Sequence, residues 1–198
     1  MSTSSVSPIL TALYNRDPDE ARRLARAAPL LTIWEAAALG ADERLCALLR
    51  EQPALVNAYA PDGFTALGLA AFFAPAATVA HLLAAGADVG VAARNPMQVQ
   101  ALHAAVASRN ADAVRLLLEA GADVNGRQQA GYTPVMGAAG AGRDDLVDLL
   151  LAHGADPSLV SEDGKTAVSM ARDHGHEVLA ARLDDLARNP SIRPASAG

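Results

Sequence analysis

An all-α solenoid of stacked helix–turn–helix units is the fold class this sequence predicts, and three observations predict it. The tripeptide Gly-Ala-Asp recurs at Gly86-Ala87-Asp88, Gly121-Ala122-Asp123 and Gly154-Ala155-Asp156, each time directly after an apolar run with a double or triple Leu. The first large apolar residue ahead of each Ala-rich stretch falls at Ile33, Leu67, Leu102, Val135 and Val168, at intervals of 34, 35, 33 and 33. Much of the 51% hydrophobic content is Ala and only 4% of residues are aromatic, which suits thin helix pairs better than a thick core. A fixed period in this range marks a repeat architecture, in which one unit cannot bury its apolar face alone and stacking is obligatory. The 198 residues are therefore expected to form one elongated domain rather than one or two globular ones.

The elements follow in order. Residues 1–8 read as a polar, flexible start. Residues 9–31 carry two short helical segments, the second opening at Asp17-Pro18 and stopping before Pro29, and form a degenerate helical N-cap. Residues 32–61 make a fuller unit, with Gln52-Pro53 in place of the Gly-Ala-Asp turn. Units at about 62–94, 95–129 and 130–162 follow, and residues 163–189 close the array as a C-cap enriched in Arg182, Asp184, Asp185 and Arg188, as expected of an end that faces water. Together residues 32–189 make up the repeat domain, and the Pro-, Ser- and Gly-containing tail at 190–198 needs no structure.

Within a unit, Thr65, Thr133 and Thr166 stand where a side-chain oxygen accepts from the free N–H groups that open a helix. Pro134 follows Thr133 at the position that has no donor to lose. Gly86, Gly121 and Gly154 end the second helices, because a residue without Cβ takes the left-handed conformation of a helix C-terminus at little cost. The Asp two residues later bonds local backbone N–H groups in the turn. Ala70-Ala71, Ala104-Ala105 and Ala138-Ala139 let paired helices approach, while Leu82-Leu83, Leu116-Leu117-Leu118 and Leu149-Leu150-Leu151 supply the bulk of the core.

The hexads that open the units are Thr65-Ala66-Leu67-Gly68-Leu69-Ala70, Thr133-Pro134-Val135-Met136-Gly137-Ala138 and Thr166-Ala167-Val168-Ser169-Met170-Ala171, with Ala101-Leu102-His103-Ala104-Ala105 in the same phase. Each keeps part of Thr-Pro-Leu-His-x-Ala, and with the Gly-Ala-Asp turns they cover residues 62 to about 185, so the chain resembles the ankyrin repeat family. That resemblance implies an all-α ankyrin-type solenoid with short β-hairpin-like loops. It also implies a non-enzymatic module that binds another protein through its loop tips and the concave faces of its first helices.

Bulk properties exclude several classes. A formal charge of -6 argues against a nucleic-acid footprint, which needs a basic stripe. Arg22-Arg23 with Arg26 reads as a solvated helix face. Lys165 is the one lysine against fifteen arginines, a bias that fits a GC-rich, bacterial genome. Cys46, the single cysteine, excludes an intramolecular disulfide, suits a reducing cytoplasm, and sits in the apolar pattern of Leu45, Leu48 and Leu49 as a packed thiol. The first residues lack the basic-then-apolar order of a secretory signal. Residues 66–87 carry no charge, but Pro75 and His81 interrupt them and the repeat places a turn at their middle, so no membrane span is expected.

Candidate sites come from position within the repeat. The resemblance places Asp62, Phe64, Phe72 and Phe73 on or near the binding face, with Tyr59 in the loop before it. Phe64, Phe72 and Phe73 are all the Phe in the chain, and such a cluster is an anchor for a partner. The competing reading has Phe72 and Phe73 filling the groove against Ala38, Leu39 and Ala107. Tyr132, Val99 and Lys165 occupy the position of Phe64 in other units. The loop at 90–100 is two residues longer than its successor, lacks the Asp-Gly-x-Thr pattern, carries Arg94 and Met97, and is expected to be distorted or mobile. Arg94 and Arg127 are the positive candidates for an acidic partner. Along the face, Gly140 and Ala141 stand where Phe72 and Phe73 do, followed by Asp173 and His174, so it is expected to run from aromatic to flat to acidic.

No cofactor is implied, and no phosphate loop, nucleophile elbow or zincin motif appears. His103 fills a structural place in the helix-start motif. A metal-dependent enzyme or regulator would have to use His153, His174 and His176. A helix of about ten residues separates His153 from the other two by roughly 15 Å, whereas zinc ligands converge on one point within about 2.3 Å. A monomer is expected, the alternative being a homodimer through the Phe64, Phe72 and Phe73 patch.

Overall fold

The computed structural model describes residues 6–188, so the flexible tail expected at 190–198 and most of the flexible start lie outside the described residues. Twelve α-helices account for the regular structure among them, with two isolated antiparallel bridges, Tyr59 to Thr65 and Ala92 to Gln100, where hairpin loops were expected. The chain divides into two compact units between Ala101 and Leu102.

The first unit holds α1 (Pro8–Tyr14), α2 (Pro18–Ala27), α3 (Ile33–Leu39), α4 (Asp42–Glu51), α5 (Ala66–Phe73) and α6 (Ala76–Ala84). α3 begins on a full capping box: Thr32 Oγ1 accepts from Glu35 N at 3.3 Å while Glu35 Oε2 accepts from Thr32 N at 2.8 Å. Thr65 opens α5 by accepting from Gly68 N at 3.1 Å. Pro53–Asn57 winds into a 3-10 turn where later repeats have Gly-Ala-Asp. α5 and α6 part at Ala74 and Pro75, and among the described residues no helix is long and apolar enough to cross a membrane.

The expected N-cap at residues 9–31 forms both of its helices, but α1 does not simply extend the row of repeats. Its buried residues Ile9, Leu10, Ala12 and Leu13 share one core cluster with Ala38 of α3 and Leu69 of α5. α1 thus reaches past α3 to the first helix of the next repeat.

The second unit holds α7 (Ala101–Ala107), which starts at the division, then α8 (Ala111–Glu119), α9 (Pro134–Gly140), α10 (Asp144–Ala152), α11 (Ala167–Asp173) and α12 (Glu177–Arg188). Leu102, Leu117, Met136, Leu146, Leu150 and Leu183 are fully buried. Thr166 and Ser169 form a second capping box. Thr133 corrects the expectation that every helix-opening Thr caps with its side chain: it makes no such bond, and its hydroxyl is buried without a partner. The Met136 amide, which stands where Gly68 N serves Thr65, donates instead to the Thr133 carbonyl at 3.1 Å, as does Gly137 N at 3.3 Å.

Turns between helices follow the sequence closely. Gly86, Gly121 and Gly154 have φ of 87°, 87° and 88°. Oδ1 of Asp88, Asp123 and Asp156 accepts from the amide two residues on, in Gly90, Asn125 and Ser158. Two asparagines add bonds that sequence reasoning missed. Asn57 accepts from Asp88 N at 2.9 Å and donates to Gly86 O, and Asn125 accepts from Asp156 N at 2.8 Å and donates to Gly154 O at 3.1 Å.

Candidate partner-binding surface

In the first unit the aromatic residues at the end and start of α5 are gathered by a residue absent from the sequence-based set. Tyr14, the last residue of α1, tilts against Phe73 and Phe64 with ring centroids 5.7 and 6.3 Å apart, and its hydroxyl donates to Asp62 Oδ2 at 2.6 Å. Burial, then the hydrogen bond and charge of Asp62, pushes the Tyr14 phenol well above its usual pKa and keeps it a donor. Asp62 is held in place by its own turn, since Oδ1 accepts from Phe64 N at 3.2 Å.

The expected Phe72 and Phe73 pair is split. Phe73 meets Phe72 edge-on at 4.7 Å, yet Phe73 and Phe64 are half-buried against the α1 cluster beside Leu39. Phe72 stays 44% exposed. Adjacent residues on a helix point about 100° apart, so only one of the two can face the core.

The long loop at 90–100 is closed by hydrogen bonds, and the distortion expected of it falls on Gln98. Ala93 N donates to Val99 O, Arg94 N donates to Gly63 O at 2.8 Å, and Asn95 Nδ2 donates to Asp62 O at 3.1 Å. Gln98 takes a left-handed φ of 50° to make the turn, which leaves Met97 52% exposed. Arg94, expected to reach for an acidic partner, lies over the Tyr59 ring with its guanidinium carbon 4.0 Å from the centroid.

The second unit treats its equivalent positions differently. Arg127 turns inward to the loop carbonyls of Val160 and Gly131, at 3.0 and 3.3 Å. Tyr132 donates to Asp163 Oδ2 at 2.7 Å, which raises the phenol's pKa. Asp163 is held below the usual carboxylate range first by the Ser161 hydroxyl and then by Tyr132. The acidic end expected at Asp173 is paired: Lys165 donates to it at 2.5 Å, depressing the carboxylate and raising the ammonium pKa. Arg182 spans Asp144 and Asp148 between α12 and α10.

The histidines are engaged locally. His103 is buried with Nε2 3.2 Å from Tyr132 O, and desolvation lowers its pKa. Nδ1 of His153 and of His174 each lies 2.9 Å from a carbonyl of its own helix, Leu149 and Met170. His176 packs on Gly142, where a Cβ would come within 2.3 Å of the ring. Among the described residues no group of three or more His, Cys, Asp or Glu is placed to hold a metal ion, so His153, His174 and His176 are not brought together.

Comparison with known proteins adds two findings. A model of ankyrin repeats in three copies matches residues 33–128, and a second, of ankyrin repeats in many copies, matches residues 117–171. The human protein phosphatase 1 regulatory subunit 27 is 41% identical over 58 residues, which is 29% of this chain and 38% of the relative, so the chain spans well under half of that relative's length.

Proposed function

Since this chain belongs to the ankyrin repeat family, we propose that it is a non-catalytic module that binds another protein through the first-helix face and hairpin loops of its N-terminal unit. The exposure of Phe72 at 44% carries this reading. A large aromatic held edge-on by a half-buried neighbour offers contact area whose ordering is already done. Met97, 52% exposed on the loop that is tied to Asp62 and Gly63, supplies a second apolar contact. Arg94 remains exposed above Tyr59 and gives the rim a positive edge. The word "regulatory" in the name of the human relative is in keeping with a binding rather than a chemical role. A reducing compartment such as the cytoplasm suits the lone, half-buried thiol of Cys46.

A photoreactive phenylalanine analogue at position 72, with a control at the exposed His81 of α6, tests this in cells. A protein adduct at 72 and none at 81 supports the reading. The same adducts at both positions, or none at 72, sinks it. Light scattering of the purified chain is expected to give the monomer mass; a doubled mass that reverts with Phe72→Ala would favour a homodimer through the aromatic patch.

A further inference from the structure

The aromatic seat beside the face just described, Phe64 and Phe73 with Asp62, is covered by the chain's own first helix. α1 puts Leu10 and Leu13 into one core cluster with Ala38 and Leu69, and Tyr14 beside Phe64, Phe73 and Asp62. Resting on the reading of this face as the partner site, we propose that α1 is a displaceable occupant. The partner docks as a short amphipathic helix of the same pattern: two adjacent apolar residues, a third three positions on, and a phenol directly after it, as in Ile9, Leu10, Leu13 and Tyr14.

Several observations make α1 removable rather than integral. Seven residues are too few for a helix to stand alone in water, so α1 is formed only while it is seated. α2, which follows it, buries only Ala21 and presents its remaining side chains partly or fully to solvent. α3 does not need either helix at its start, because Thr32 and Glu35 satisfy each other in a complete capping box. Asp62 is poised without Tyr14, since its other oxygen is anchored by Phe64 N. The seat therefore keeps its shape and its acceptor when α1 leaves, and what leaves is a helix that describes the ligand the seat accepts.

The test uses the full chain and a fluorescein-labelled peptide of residues 6–31. Trp34, the single tryptophan, packs against the α1 cluster and is fixed by its Nε1 bond to Ala58 O at 3.0 Å, so its emission reports whether the seat is covered. In Leu10→Asp with Leu13→Asp, Trp34 emission should shift red, and the peptide should bind at least about tenfold tighter than to wild type and shift it back. A milder variant, Tyr14→Phe, should take the peptide about threefold better than wild type, in line with loss of one hydrogen bond.

Equally weak binding to all three chains overturns the proposal, and so does loss of the cooperative melt in the double variant, which would make α1 part of the folding unit. A wild-type dimer whose Trp34 seat is covered by a second copy's α1 would overturn the assignment to a foreign partner. Because the assay needs no partner, strong peptide binding together with no adduct at position 72 would retire the interaction reading while α1 remained displaceable.

Discussion

The two units present the same pairing of tyrosine with aspartate in opposite settings. Tyr14 crosses 48 positions to reach Asp62 and carries a helix with it, whereas Tyr132 reaches Asp163 on the next loop. The first unit consequently meets an apolar cover of its own making, while the second closes its rim with charge pairs such as Lys165 with Asp173 and Arg143 with Asp145. A shared repeat frame thus fixes where side chains stand, and only the side chains decide whether a face is covered, bare or neutralised.

The largest expected effect separates two glycines at one register position. A Cβ on Gly63, φ 87°, would lie 2.5 Å from the Arg94 carbonyl oxygen, whereas one on Gly164, φ 80°, meets nothing within 4 Å. Urea titrations should show Gly63→Ala losing more than about 3 kcal/mol, from left-handed strain plus displaced backbone, and Gly164→Ala about 1 kcal/mol from strain alone. Equal losses would mean that the 90–100 loop yields freely.

Next comes the divided aromatic pair. Phe73→Ala should cost about 2 kcal/mol, roughly half the figure for a fully buried Phe, and Phe72→Ala less than about 0.5 kcal/mol, as for an ordinary surface change. A reversal would place Phe72 in the core and empty the proposed face of its anchor.

The second unit carries a buried hydroxyl with no partner, so Thr133→Val should raise stability by about 1 kcal/mol. Thr166→Val removes a working cap and should lower it by about the same amount. Thermal melts of the two variants in parallel decide the matter, and a loss in both would assign Thr133 a partner.

The smallest effect is a pH dependence. Desolvation lowers the pKa of His103 in the folded chain below its ordinary 6.5. The unfolded chain therefore takes up that proton first, and stability falls as pH drops below about 6.5 until the folded pKa is reached. Denaturant midpoints at pH 7.5 and 5.5 should differ in the wild type and converge in His103→Asn; an unchanged slope would acquit His103.

What was legible in the sequence is what short-range chemistry dictates. Thr65 and Thr166 cap, Gly86, Gly121 and Gly154 turn, and Asp88, Asp123 and Asp156 accept from the amide two residues on, because each of these depends on neighbours within a few positions. Thr133 was not readable in this way, because the Met136 amide that would donate to its hydroxyl goes to its carbonyl instead, a choice that no residue type at position 136 announces. The covering of the aromatic face was not readable. The apolar spacing of Ile9, Leu10 and Leu13 says that α1 must be covered, but nothing in it names Leu69 or Asp62, and tyrosine–aspartate pairs leave no spacing signature. Arg94 and Arg127 looked like free positive arms for a similar reason, since the ring and carbonyls they meet are up to 35 positions away.

Asn57 and Asn125 grip the following turn only by its main chain, the carbonyl of one glycine and the amide of one aspartate. Such a joint bonds no side chain of the segment it holds and asks of it only the left-handed glycine that makes the turn. A stretch of gene that copies one asparagine and the turn beyond it copies a finished connection, so an array can lengthen or shorten by recombination without its neighbours being rewritten. The surface residues are then free to diverge in each copy, and inheritance acts on the joints and on the exposed face as two separate texts.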